Sequence, residues 1–165
     1  MPIPLESTKM KKLFLMIIST AVLATTSWVL AADDPLLDAI KARKSYMQVV
    51  KWNAGPLFGM AKGKIDYDAE FATTLANNLH ALSQLDNGTM WPDGSDNVSY
   101  EGETRALPEI WSTYPKVAEG NKAWADAVAA LLPAAGSGLD ELRDKIGAVG
   151  EGCKGCHDDF RAEDE

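Results

Sequence analysis

Beyond residue 35, apolar side chains recur every three or four positions in four separate stretches. Nowhere do they alternate with polar ones over the length of a strand, so the pattern predicts an all-α chain. A first helix is expected from about Pro35 to Met60, with Pro35 suited to an opening turn and Leu36, Ile40, Met47 and Val50 near one stripe. Within it Gly55-Pro56 predicts a kink or an early end, because proline lacks the amide donor and crowds the preceding turn. Asp66 or Asp68 can cap a second helix, in which Phe71, Leu75, Leu79 and Leu82 form the stripe and which ends near Leu85. From Asp86 to Thr104 the chain is rich in Gly, Asp, Asn and Ser and reads as a long crossover. Its Met90, Trp91 and Tyr100 are apolar enough to fold back onto the bundle. Pro108 opens a short turn through Ile110 and Trp111. Pro115 begins a third long helix with Val117, Trp124, Val128 and Leu131 on one side, closed by Pro133 and Gly136-Ser137-Gly138.

The fourth helix has the clearest pattern. Ser137 and Asp140 suggest a capping-box start, and Leu142, Ile146, Val149, Cys153, Cys156 and Phe160 follow at spacings of three and four. Both cysteines therefore continue the buried stripe, and they belong to Cys153-Lys154-Gly155-Cys156-His157, the only two cysteines of the chain. A C-x-x-C-H run reads as a covalent haem site: two thiols reach the two vinyl groups of one porphyrin, and the adjoining imidazole meets the iron. Zinc would need two further ligands, and the one other histidine is His80, with no additional cysteine. A thiol oxidoreductase using Cys153 and Cys156 without haem would be expected to place them after a strand, in a βαβ pattern. A cofactor held by the last helix and covered by the earlier ones predicts an antiparallel four-helix bundle with one covalent haem c in its core.

The N-terminal end changes the picture of where the protein works. Lys9, Lys11 and Lys12 precede an uncharged apolar run from Leu13 to Leu30, followed by Ala31 and Ala32. This reads as a secretory signal peptide over residues 1–31, leaving a domain of residues 32–165, an exported protein of the periplasm and no membrane segment after cleavage. Loss of that leader removes three lysines and Glu6 and moves the formal charge from −8 to −10. So acidic a chain is a poor candidate for binding nucleic acid or anionic lipid, and the charge serves either solubility or docking to a partner with a basic face.

With these residues in view, the chain resembles the class II c-type cytochromes, comprising cytochrome c-prime and its low-spin relatives. The likeness is carried by Ala42-Arg43-Lys44-Ser45, Met60-Ala61-Lys62-Gly63, Tyr67-Asp68-Ala69, Pro92-Asp93-Gly94-Ser95, Pro108-Glu109-Ile110-Trp111 and the run from Cys153 to Arg161. A haem motif at the far C-terminus is specific to this class. The resemblance implies one covalent haem in a four-helix bundle, and a homodimer formed largely by the first two helices. It also implies roles by position. Arg43 would pair with a haem propionate, a segment including Thr104 would approach the propionates unless it caps or is solvated, and Arg161 would stand near the proximal His157. Apart from the resemblance, Trp111 and Trp124 are expected to fill core or haem-edge space, and His80 to be a surface or partly buried histidine and not a second iron ligand.

The position four residues after Arg43 decides the function that the resemblance implies. Gas-binding members carry a non-coordinating apolar residue there and a five-coordinate iron, whereas low-spin members carry methionine. Here it is Met47. A thioether that completes a His157/Met47 iron predicts a periplasmic one-electron carrier, not an enzyme, exchanging electrons with redox partner proteins. The alternative is a five-coordinate cytochrome c-prime that binds or scavenges nitric oxide and carbon monoxide, with Met47 packed over the haem or core without bonding. Met60 and Met90 are the weaker candidates for the sulfur ligand.

Overall fold

The computed structural model describes residues 33–163, and the expected signal peptide lies outside them. Among the described residues there are five α-helices and no strand: α1 (Pro35–Ala61), α2 (Ala69–Ser83), the single turn α3 (Glu109–Ser112), α4 (Tyr114–Leu131) and α5 (Leu139–Phe160). The long helices pack α1 on α2, α2 on α4, α4 on α5 and α5 back on α1, so that the ring of a four-helix bundle closes. No helix among the described residues is long and apolar enough to cross a membrane.

The helix starts follow local chemistry. Asp34 caps α1 by accepting from the backbone N–H groups of Leu36 and Leu37, and Asp68 caps α2 by accepting from that of Phe71, which selects Asp68 over Asp66. Two expectations need correction. First, α1 runs through Pro56 to Ala61. Proline deprives the Trp52 carbonyl of its donor, but that turn faces solvent, and Ala54, Leu57 and Met60 are buried on the other side. Burial of that stripe outweighs one lost hydrogen bond. Second, α5 has no capping box. Its N-cap is Gly138, at φ 153° and ψ 162°, a conformation open essentially to glycine alone, and the Ser137 hydroxyl donates instead to the Pro133 carbonyl.

The interior divides into two apolar clusters. The larger joins all four long helices around Leu57, Leu79, Val128, Leu131, Leu142 and Val149, with Cys153 packed at its edge. The smaller lies at the open end of the bundle, where Ala106, Ile110 and Phe160 are flanked by Trp91, Trp111, Val117 and Cys156. That end is held by the chain itself. The C-terminal segment forms an isolated antiparallel bridge, Ala106 to Arg161, with Leu107 donating to the Phe160 carbonyl and Ala162 to that of Arg105. The last turn of α5 is thereby tied to the end of the crossover.

Candidate haem site

Cys153 and Cys156 are unlinked, partly buried thiols on the inward side of α5. They straddle the seam between the two clusters, Cys153 against the larger and Cys156 against the smaller. Burial pushes both thiols above their ordinary pKa. For Cys153 the Trp124 indole offsets part of this, while for Cys156 the neighbouring Cys153 and Asp159 add to it and Arg161 opposes it. One turn beyond Cys153, His157 is half-buried, and its pKa is lowered first by burial and then by Arg161 and Arg105. A neutral imidazole is the form that can donate its lone pair to a metal. Two protonated thiols and one neutral imidazole on successive turns of one helix, set between apolar walls, fit the attachment of a porphyrin and not a closed metal cluster. No group of three or more His, Cys, Asp or Glu suited to a metal ion occurs among the described residues. Cys153, Cys156 and His157 would hold the group, which supplies an iron that changes oxidation state and takes small ligands.

The crossover builds the wall around Arg43. This residue is only 3 % exposed. Its guanidinium donates to the Ser95 hydroxyl at 2.7 Å, to the Ser95 carbonyl and to the Thr104 hydroxyl at 2.9 Å, with the Met90 carbonyl at 3.5 Å, and it lies 4.8 Å from the centre of the Trp91 ring. Arg43 and Thr104, singled out separately in the sequence, thus meet. Both Arg43 terminal nitrogens are engaged by the crossover, so these contacts make Arg43 its anchor. Burial lowers the Arg43 pKa, and Asp96 opposes that. Asp96 itself closes the turn, accepting from the backbone of Val98 and Ser99, and its carboxyl is held below the usual range by those bonds.

Met47 lies one turn beyond Arg43, is 40 % exposed and belongs to neither apolar cluster. Met60, by contrast, is 1 % exposed inside the larger cluster, and Met90 contributes its backbone carbonyl to Arg43. His80 stands in the last turn of α2, partly buried. Arg161 is exposed at the end of α5 yet acts electrostatically on His157. Sequence reasoning missed Arg105, which does the same. Its signal is three-dimensional, since it reaches the imidazole only because residues 105–107 pair with 160–162.

Comparison with known proteins agrees with this construction. A sequence model of the family described as Cytochrome C' matches residues 38–161. A cytochrome c' of Cereibacter sphaeroides is 38 % identical over 88 % of this chain and 95 % of its own length. A solved cytochrome c' from the organism given as Rhodobacter Spheriodes superposes with a TM-score of 0.77 at 39 % identity, covering 80 % of this chain and all of that one. A ferrous variant of cytochrome c prime from Alcaligenes xylosoxidans with bound NO gives 0.65 at 32 % identity, covering 77 % and 95 %. A helical bundle that brings two thiols and an imidazole to its C-terminal helix, and that matches these proteins along nearly its whole described length, belongs to the cytochrome c' family, the class II c-type cytochromes with a single covalently attached haem c.

Proposed function

We propose that this protein binds small diatomic gases, nitric oxide and carbon monoxide, at an iron held by His157, with Met47 controlling access to the opposite position. The main support is likeness to the cytochrome c' proteins. Similarity to a protein solved with bound NO points the same way. A second reading is a one-electron carrier with His157/Met47 ligation. It draws support from Met47, a soft sulfur one turn beyond Arg43 that suits a low-spin iron of raised potential. Neither reading requires an enzymatic reaction.

Absorption spectra of the ferric and ferrous protein, with carbon monoxide added to the ferrous form, separate the two. Broad high-spin bands and ready carbon monoxide binding are expected for wild type, and Met47→Ala should bind faster. Sharp split ferrous bands with no carbon monoxide shift, both abolished in Met47→Ala, would make electron transfer the function.

Two further parts of the proposal concern place and partners. The apolar leader supports export to the periplasm, where an acidic carrier of haem would meet redox proteins. The outer face of α1 and α2 supports a homodimer. Trp52 stands 78 % exposed beside Val49 and forms one wall of a groove that Lys51, Gly55, Pro56, Phe71 and Leu75 also line. A protruding indole beside an apolar groove is the self-complementary arrangement that a two-fold interface needs. Trp52→Glu should shift the sedimentation coefficient from dimer to monomer without changing the absorption spectrum.

A further inference from the structure

Trp124 on α4 is 9 % exposed, and its indole Nε1 is shut off from solvent with no hydrogen-bond partner. A buried donor left unmade is rare enough to need a reason. His80 Nδ1 and Asn97 Oδ1 are in the same condition, but their residues are only partly buried and lie on α2 and in the crossover. Trp124 stands beside a cysteine of the haem motif. It belongs to the larger cluster, against which Cys153 packs. The two helices come together here because residue 152 is glycine: a Cβ there would stand 3.0 Å from Trp124 Cα and 3.1 Å from its Cβ. Cys153 follows Gly152 at this close approach and packs on the cluster that holds the indole, whose N–H closes no bond with it, and the indole acts to lower the thiol's pKa.

We propose that Trp124 is a positioning residue for haem attachment, its indole N–H serving as the donor that holds the Cys153 sulfur in place. Sulfur accepts a hydrogen bond as a thiol or as a thioether, so the donor serves before and after attachment. Cys156 has no such donor. It packs on the smaller cluster among Phe160, Ile110 and Trp111, so the two sulfurs are held by different means. Loss of the donor should therefore affect one thioether and spare the other.

The test compares holoproteins matured in a host that attaches haem c: wild type, Trp124→Phe, which keeps a ring and removes the donor, and Val128→Ala, which opens a void one turn along α4 in the same cluster and removes no donor. Mass spectrometry and the haemochrome absorption band report whether haem is held by two thioethers or by one. A several-fold rise in chains attached through Cys156 alone is expected in Trp124→Phe, with Val128→Ala matching wild type. Full attachment at both cysteines in Trp124→Phe, or an equal defect in Val128→Ala, would overturn the assignment. Should Trp124→Phe not accumulate, wild type decides. Its thioether carbon–sulfur Raman mode should shift when the purified holoprotein is unfolded and refolded in D2O rather than H2O, which exchanges the indole N–H and leaves carbon-bound hydrogen in place, and an unmoved mode would equally overturn it.

Discussion

Gly152 and Arg43 bound what single residues contribute. At Gly152 a methyl group would press on the backbone of α4, which has no flexible side chain to yield there. Gly152→Ala should therefore destabilise the fold by about 1–3 kcal/mol, as overpacking does, despite alanine's better helix propensity. Denaturant unfolding at constant m-value checks this. Arg43 is a different case, a buried cation whose donors tie Ser95 and Thr104 to α1. Arg43→Ala leaves those acceptors and a void behind, and the cost should be roughly 3 kcal/mol. Arg43→Lys should recover only part of it, since an ammonium cannot span both partners as the planar fork does.

Among the elements, α1 carries an evident local conflict. A proline sits in its interior, and the helix continues because its inner stripe is buried. Pro56→Ala should supply the missing donor to the Trp52 carbonyl and raise the thermal midpoint, by an amount corresponding to about 1–2 kcal/mol once the more flexible unfolded chain is counted. A shift downward would mean that Pro56 is needed where it stands on the α1–α2 face. The same face contains a half-buried polar contact, in which the exposed Asn78 donates to Asn53 Oδ1 at 2.9 Å while Asn53 donates to the Val49 carbonyl. With Asn53 only 5 % exposed, this contact sets the register of α1 against α2.

The whole molecule responds to pH through contacts that join its first helix to the crossover. Asp34 caps α1 and accepts from Tyr100, and both Asp34 and Asp96 have carboxyls held below the usual range, chiefly by backbone hydrogen bonds. A folded pKa below the unfolded value of about 3.9 contributes stability that is complete above that value and lost as pH falls through the folded one. Tyr100 is the mirror case. Burial and the Asp34 carboxylate raise its pKa, so its contribution is complete below about pH 10 and lost as pH rises through the folded value. Stability should hold from about pH 7 to pH 9 and fall at both ends, the acid side beginning with His157, whose lowered pKa lets the unfolded chain take its proton first, and Tyr100→Phe removing the alkaline limb that its contact causes. Thermal midpoints across pH check both limbs.

The sequence by itself determined the all-helical class, the helix stripes, the attachment motif and the family, because periodicity and a five-residue chemical signature are local properties of the chain. It located Cys153, Cys156 and His157 on one inward helix face for the same reason. The tertiary structure decided what depends on residues distant in the chain. It carried α1 through Pro56, because burial of one face outweighs a local penalty. It replaced the expected capping box with Gly138, whose backbone conformation no pattern of side chains reports. It joined Arg43 to Ser95 and Thr104, brought Arg105 to His157 through the pairing of 105–107 with 160–162, left Met47 outside both clusters and set the Trp124 indole beside Cys153. Each of these depends on which surfaces meet when four helices close on one another, and that is settled only by packing.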